Sequence, residues 1–486
     1  MFKLQHRTTL ACTLCFFALT ACANQDKENS DTNTQTAPLS VVSAVSDWSE
    51  AASIPGVAIA YIHDSEIQWI YTQGQATANQ TVTEDTLFNI ASLTKPMFSM
   101  MSLQLVEHGR LNLDESLSQH WVDPDIKGDH RHEKLTPRLA LSHQTGFTNW
   151  RGDKPLSFMF SPGQRHEYSG EGFEYLKKAI ELKLDTSMPQ LMQHYVVKPS
   201  GMNNTYFGWK DNLGHTIVER FDEAGETIQQ QGFYRESYSA ACCTLSSIKD
   251  YAAFIRWVSQ GAGLSDDLLQ QLQTAQAQHG NPIEYFSLGW RLVTTPSTTY
   301  LVHDGREPGV RALTIVSPST GEGLVILTNS SNGELLYRPL AQVMLKNPQH
   351  YLSQTDNDTW QYLTSIPSEM QPRMIQFIAQ SPSFTSKALY AANEAVFAQS
   401  RINIAHEKAA LLKKRAVALI DAFVLEQLSA TQPQTQEQLR QNFIAGMTFL
   451  STNDKSLSLS QTLDTKVTIE EWMVQLETMS ELEELR

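Results

Sequence analysis

The stretch from Asn89 to Val106 constrains the fold most, because a short polar turn runs directly into the mainly apolar residues 97–106. A helix over these residues would be apolar on most sides, so it should be central and buried. Pro96 suits the first helical turn, which needs no amide donors, and Gly109 can end the helix. The sequence therefore predicts a buried helix with a polar first turn.

Ser92 and Lys95 are three residues apart in that first turn, so they share a face and the ammonium group can reach the hydroxyl. The turn also has amide N–H groups without partners inside the helix, and these can bind an oxyanion. The spacing alone leaves helix capping and nucleophilic catalysis open for Ser92. The same spacing recurs at Ser246 and Lys249, where a capping sequence before residues 251–255 favours helix initiation.

The composition excludes one class of partner. The formal net charge is −15 at pH 7, and the 486 residues contain no basic stripe. We therefore do not expect a nucleic-acid partner.

The N-terminal residues are typical of an exported protein. Lys3 and Arg7 precede an apolar segment at 10–19, and the residues ending at Cys22 resemble a bacterial lipobox. We expect residues 1–22 to be a lipoprotein signal peptide and the lipidated Cys22 to anchor the chain to the outer membrane, facing the periplasm. An ordinary secretory signal is the alternative, and it also exports the chain.

The remainder divides into three regions by composition. Residues 23–40 are polar and predict a disordered tether. Residues 41–345 begin and end with strand patterns around a helical, loop-rich part, which indicates an α+β domain. Residues 346–486 favour helices throughout. We interpret this C-terminal all-helical region as a packed appendage, with a partner-binding helix for another protein as the alternative.

The predicted strands begin with a hairpin and return late in the domain. They cover residues 56–62, 67–71, 286–294, 299–302, 310–316 and 323–328.

Three separated blocks resemble the signature motifs of serine β-lactamases and penicillin-binding-protein-like hydrolases. The blocks are Ser92-Leu93-Thr94-Lys95, residues 161–170 with Tyr168, and His303-Asp304-Gly305. The resemblance covers about residues 41–331 and is strongest toward class C-type β-lactamases, related esterases and D-amino-acid peptidases. It implies a β-lactamase/transpeptidase-like antiparallel sheet flanked by helices, with a helical lobe.

This resemblance implies a catalytic set of Ser92, Lys95 and Tyr168. A serine hydroxyl is a poor nucleophile at neutral pH and needs a partner that takes its proton. Lys95 can do this if burial lowers its pKa, and Tyr168 can do it as a phenolate. The sequence leaves the choice of base open.

The resemblance also implies substrate-binding roles on one strand. His303 stands where many relatives carry a lysine that holds a substrate carboxylate. Gly305 would let a substrate backbone lie against the strand edge. The amide N–H groups of Ser92 and Glu307 would form the oxyanion hole.

Three departures from the family pattern bear on the substrate. Gly170 replaces the usual Asn, Cys242-Cys243 replaces what resembles a Gly-Gly pair, and His303 replaces lysine. These changes favour an esterase or peptidase over an efficient β-lactamase.

The adjacent Cys242 and Cys243 are expected to be free thiols. Consecutive Cα atoms lie about 3.8 Å apart, whereas disulfides prefer at least about 4.4 Å.

One further cluster has metal-ligand residue types, but its spacing matches no zinc or calcium pattern. We interpret it as a solvated loop and expect neither a metal nor a cofactor. Its members are Asp123, Asp125, Asp129, His130, His132 and Glu133.

The sequence thus predicts a serine hydrolase that acylates Ser92 and acts on small esters, amides or D-amino-acid-containing peptides in the cell envelope. A penicillin-binding D-alanyl carboxypeptidase or weak β-lactamase is the first alternative. A non-catalytic envelope binding protein is the second.

Overall fold

The computed structural model describes residues 35–51, 54–208, 213–222, 225–228, 237–278, 285–294 and 298–345. The expected signal peptide with Cys22, residues 23–34 of the tether and the C-terminal region 346–486 lie outside the described residues. None of the helices within these ranges combines the length and apolar character needed to cross a bilayer.

Fourteen strands occur in the described residues. They are β1 (Gly56–His63), β2 (Glu66–Thr77), β3 (Gln80–Thr81), β4 (Leu87–Asn89), β5 (Thr205–Phe207), β6 (Arg220–Phe221), β7 (Thr227–Ile228), β8 (Thr244–Ser247), β9 (Ala277–Gln278), β10 (Tyr285–Phe286), β11 (Arg291–Thr294), β12 (Thr299–Glu307), β13 (Val310–Ser317) and β14 (Glu322–Thr328).

Nine of these strands form the main sheet, in the order β3-β2-β1-β14-β13-β12-β11-β10-β9. Every neighbouring pair is antiparallel. The N-terminal hairpin pairs with the last strand, with Ile59 opposite Ile326. The prediction of a sheet begun early and completed late is therefore confirmed. Two smaller antiparallel sheets have the orders β4-β8-β5 and β6-β7.

Along the chain, most α-helices of the described ranges come after β3 and before β9. They are α1 (Leu39–Ala51), α2 (Thr94–Glu107), α3 (Pro137–Leu141), α4 (Gly170–Leu184), α5 (Met188–Met192), α6 (Lys198–Ser200), α7 (Ile248–Ser259), α8 (Asp266–Leu272) and α9 (Tyr337–Met344). Short 3-10 segments cover Ala91–Leu93, Leu117–Gln119, Pro124–Ile126, His130–Lys134 and Gly333–Leu336, and a π-helical turn covers Gln193–Val197.

The main sheet is buried on both faces, so alternate residues of a strand join different cores. In β1, Ala58 and Ala60 pack with the helical lobe, whereas Val57 and Ile59 pack with residues of α1 and α9. The central strands β1, β13 and β14 consequently consist mostly of apolar residues. The sheet is thus packed between two apolar cores, and the loops near β12 are attached to it.

Helix α2 lies inside the larger core, as its composition predicts. Every residue from Thr94 to Leu105 is buried. The helix ends at Glu107, and Gly109 follows with a φ of 65° in the left-handed region, where glycine is favoured. The expectation of a central buried helix is confirmed.

Three strand predictions differ from the structure. The strand predicted at 67–71 is β2, which extends to Thr77. The run 286–294 is divided by a turn at 287–290, where Gly289 has a φ of 81° and β10 folds back onto β11. The strand predicted at 299–302 continues to Glu307, because residues 303–307 pair with β13. The apolar pattern in the sequence ends where the polar residues begin, whereas the backbone pairing of β12 with β13 continues through them.

The ordered domain also begins before residue 41. The amide of Gln35 donates to the carbonyl of Gln68 over 2.7 Å, Ala37 is buried, and α1 starts at Leu39. The last residues assigned to the tether therefore belong to the domain, since their backbone and side chains contact it.

Candidate active site

Ser92 lies in a tight turn that is held by its neighbours' side chains. The 3-10 segment Ala91–Leu93 precedes α2, and Ala91 has a φ of 47°, which is uncommon for a residue with a side chain. Asn89 Oδ1 accepts from the Ala91 amide at 2.8 Å, and Thr94 Oγ1 donates to the Ala91 carbonyl at 2.8 Å. Ser92 itself is partly exposed, while the flanking residues are buried. The Ser92 hydroxyl therefore projects from a turn whose backbone is held by these hydrogen bonds.

Strand β12 lies directly against this turn at Gly305. A Cβ atom at this position would lie 2.5 Å from the Ile90 carbonyl oxygen and 3.3 Å from Ala91 Cβ. From the sequence, we expected the missing side chain at Gly305 to make room for a substrate backbone. The structure gives a different reason, because the nucleophile's own turn already fills that space.

Lys95 points from the first turn of α2 at the Ser92 hydroxyl. Its Nζ lies 3.2 Å from Ser92 Oγ and donates to the Ala241 carbonyl at 2.8 Å. The side chain is 1% exposed. Burial lowers the pKa of Lys95 to about 7, against the opposing effect of nearby carboxylates including Glu174. A neutral amine is therefore accessible at neutral pH.

Tyr168 completes the set predicted from the sequence. Lys95 Nζ lies 4.7 Å from the centre of its ring, and the Ser92 side chain is near enough to its hydroxyl to affect the pKa of Tyr168. Burial raises the pKa of Tyr168 above its usual value, and the Ser92 side chain offsets only part of that change. The phenol therefore carries its proton at neutral pH.

The segment carrying Tyr168 is fixed by residues that the sequence argument did not assign to the site. His143 is fully buried, its ring centre lies 4.3 Å from that of Tyr168, and its Nδ1 accepts from the Ser169 amide at 3.0 Å. Ser169 Oγ accepts from the Gly172 amide and caps α4. Residues 141–147 resemble a stretch of the β-lactamase family, but this resemblance assigns no role to His143.

His303 lies on β12, opposite Thr314, and is 4% exposed. Its Nδ1 is 2.8 Å from the Asp304 carbonyl, which only accepts, so Nδ1 carries the proton. Burial lowers the pKa of His303 to about 4, and the charge of Lys95 acts in the same direction. A neutral ring protonated at Nδ1 leaves Nε2 as a hydrogen-bond acceptor.

Cys242 and Cys243 form part of the wall beside Lys95, directly after Ala241. The expectation of free thiols was wrong, since the two sulfurs are joined in a disulfide. The expectation considered only the Cα separation, whereas Cys243 has a φ of 70°, which turns both side chains to the same side of the chain. Glu307 lies beyond them, with Oε1 3.9 Å from Cys243 Sγ.

The two sulfurs and a carboxylate oxygen of Glu307 lie within 4.8 Å of one another, which is a spacing that metal ligands can have. Because both sulfurs are in the disulfide, neither is a thiolate that could bind a metal.

The acidic and histidine-containing loop does not converge on a metal site within the part of the chain that the structure describes. Arg151 forms ion pairs with Asp123 at 3.1 Å and Asp125 at 3.2 Å, and His130 pairs with Glu133.

Comparison with known proteins agrees with this fold. The family model described as Beta-lactamase matches residues 41–345. The chain is 21% identical over 299 residues to Protein flp of Staphylococcus aureus strain MRSA252, covering 57% of this chain and 60% of flp. It is 22% identical over 354 residues to a beta-lactamase of Escherichia coli strain K12, covering 65% of this chain and 90% of that protein. The match thus spans less than two thirds of the length of flp.

Two solved structures show the same fold. The octameric penicillin-binding protein homologue from Pyrococcus abyssi aligns with a TM-score of 0.55 and 20% identity, over 64% of this chain and 78% of that one. The D-alanine carboxypeptidase AmpC from Burkholderia cenocepacia aligns with a TM-score of 0.52 and 17% identity, over 60% of this chain and 93% of that one. The expected β-lactamase/transpeptidase-like fold is confirmed.

Proposed function

Because the chain belongs to the beta-lactamase family of serine hydrolases, we propose that it hydrolyses acyl compounds through a covalent intermediate on Ser92. The observation that carries this proposal is the contact of Ser92 Oγ with the buried amine of Lys95 at 3.2 Å, beside the Tyr168 hydroxyl. A nucleophile within hydrogen-bond reach of a base is the arrangement that nucleophilic catalysis needs. The second alternative, a non-catalytic binding protein, would have no need of it.

The pKa directions favour Lys95 over Tyr168 as the base in the free enzyme. The pKa of Lys95 is lowered to about 7, so a large fraction of the amine is neutral at neutral pH. Burial raises the pKa of Tyr168, so the phenolate is scarce under the same conditions. A base works best when its pKa lies near the working pH.

In the proposed reaction, Lys95 Nζ takes the proton of Ser92 as Oγ bonds to the substrate carbonyl carbon. The tetrahedral intermediate collapses as the bond to the leaving group breaks, and the leaving group receives a proton relayed through the Tyr168 hydroxyl. Water then attacks the acyl ester, returns the proton to Ser92 Oγ and releases the acid. The amide N–H of Ser92 would bind the oxyanion. Glu307, whose amide the family resemblance suggests as the second donor, pairs with Val310 at the end of β12.

His303 bears on the class of substrate. Its pKa of about 4 makes it neutral at physiological pH, and its free Nε2 is an acceptor. A neutral acceptor attracts a substrate carboxylate far less than the lysine of many relatives would. This favours small esters, amides or aminoacyl compounds over β-lactams and peptides that present a carboxylate at this position.

We place this activity in the cell envelope on the strength of the N-terminal sequence, with Cys22 as the lipidated anchor. Membrane fractions should contain the full chain, and the Cys22→Ala variant should appear in the soluble fraction. Equal membrane association of both would argue against a lipid anchor.

The central test is covalent labelling of the full chain. A fluorophosphonate probe should label the wild type but not the Ser92→Ala variant. Labelling by fluorescent penicillin with nitrocefin turnover would instead support the carboxypeptidase or β-lactamase alternative. If no acylating probe reacted while the protein remained folded, the proposal would be overturned in favour of a binding protein.

A further inference from the structure

The start of α4 places two positions on the same side of the chain. Ser169 has an extended backbone, with φ −141° and ψ 112°. In extended backbone, side chains two residues apart point in the same direction. Because Tyr168 faces Ser92, position 170 faces the same region, and in this chain it is glycine.

The indole of Trp150 occupies the space that a side chain at position 170 would need. A Cβ atom on Gly170 would lie 2.5 Å from Trp150 Cζ2 and 2.6 Å from Cη2. Both separations are below the 3.0 Å that real Cβ contacts respect, so a side chain at position 170 would require the indole ring to move. The indole ring of Trp150, from another loop, therefore occupies the space that the usual Asn side chain would take at position 170.

The residues on either side of Trp150 are held against the start of α4. The Gly170 amide donates to Asn149 Oδ1 at 2.9 Å, and the Glu171 amide donates to the Asn149 carbonyl at 3.0 Å. On the other side of Trp150, the Arg151 guanidinium pairs with Glu171 at 3.2 Å. The loop is thus attached to the start of α4 on both sides of the tryptophan.

Despite these attachments, Trp150 is 44% exposed, one of few large apolar side chains in the described residues with that much exposure. An aromatic ring that covers Gly170, two residues after Tyr168, and remains open to solvent offers an apolar surface to a bound substrate. An amide side chain at position 170 would have offered hydrogen bonds instead.

We propose that Trp150 is a specificity-determining residue that packs against an alkyl or aryl group of the ester or amide substrate. The inference rests on the proposed function of Ser92. Trp150 takes no part in the bond-making steps, so its contribution lies in selecting substrates with an apolar group.

The test compares ester series on the wild type, Trp150→Ala and Trp150→Phe. One series varies the acyl chain as p-nitrophenyl acetate, butyrate and octanoate, and the other varies the alcohol as ethyl and hexyl acetate. In Trp150→Ala, the preference in kcat/KM for the longer ester of at least one series should fall about 10-fold, mainly through KM. Trp150→Phe should retain most of the preference, and thermal melts establish that both variants are folded.

Two results would overturn this inference alone. The preference could be unchanged in both series, or Trp150→Ala could lose activity equally on short and long esters, which would indicate a structural role. Labelling of Ser92 by a small fluorophosphonate separates these from a failure of the proposed function. If the wild type were not labelled and turned over no ester, both proposals would fall together.

Discussion

Ser92 to Lys95 and Ser246 to Lys249 have the same spacing and very different surroundings. In the first pair, the serine lies in a 3-10 turn and the lysine is buried against it. In the second pair, Ser246 is buried in β8 with its Oγ 2.8 Å from Thr205 Oγ1, and Lys249 is exposed. The comparison shows that a Ser-x-x-Lys spacing is not enough for this chemistry, because the lysine amine must also be buried away from water.

Ser247 explains why the second stretch behaves differently. Its Oγ accepts from the Asp250 amide at 3.2 Å and caps α7, as its sequence predicts. Helix initiation therefore uses a serine hydroxyl there, whereas α2 has no side-chain cap of this kind and Ser92 remains available.

The largest difference is expected for the two serines. Ser92→Ala should lower ester turnover by at least about 10³-fold and abolish covalent labelling, because the nucleophile is gone. Ser246→Ala should leave turnover unchanged and lower the free energy of unfolding by about 1 kcal/mol, since one buried hydrogen bond is lost. Steady-state kinetics and thermal melts measure both. Residual labelling of the Ser92→Ala variant would show that another residue is acylated.

The two lysines should differ next. Lys95→Met should lower kcat/KM by about 10²–10⁴-fold because the base is removed, and Lys249→Met should have no effect. In the wild type, kcat/KM should fall as the pH drops below about 7, since protonation of Lys95 removes the neutral amine. A rate that does not change with pH across the neutral range would count against Lys95 as the base.

A charge at position 303 should change the environment of Lys95 while leaving the base itself in place. In its protonated form, the lysine of His303→Lys should lower the pKa of Lys95 further and move the midpoint of the pH–rate profile down by about one unit. The same variant should lower KM for carboxylate-bearing substrates. His303→Gln, which stays neutral, serves as the control, and an equal midpoint in both variants would contradict the expected effect of charge.

The smallest effect is expected for the disulfide next to Ala241, whose carbonyl accepts a hydrogen bond from Lys95 Nζ. Replacing the disulfide by Cys242→Ser with Cys243→Ser should reduce acylation by less than about 10-fold, because it loosens the Ala241 carbonyl without removing it. Mass spectrometry after alkylation should find no added mass on the native pair and two alkyl groups after reduction. Alkylation of the unreduced native protein would show that the thiols are free.

Much of the fold was accessible from sequence because its signals are local. The hairpin of β1 and β2, the buried α2 and the cap at Ser247 each follow from patterns within about a dozen residues. Errors arose where distant partners decide. Strand β12 extends through polar residues because β13 pairs with it, and the run at 286–294 breaks because Gly289 turns the chain.

For the site, the sequence by itself determined which residue types are present, namely a serine and a lysine one helical turn apart and a tyrosine in a distant block. The tertiary structure alone decided their properties. The lowered pKa of Lys95, the neutral His303 and the ring of Trp150 over Gly170 all depend on residues that are distant in the chain. Burial and close packing are sums over every neighbour in space, and a linear sequence gives only the neighbours along the chain.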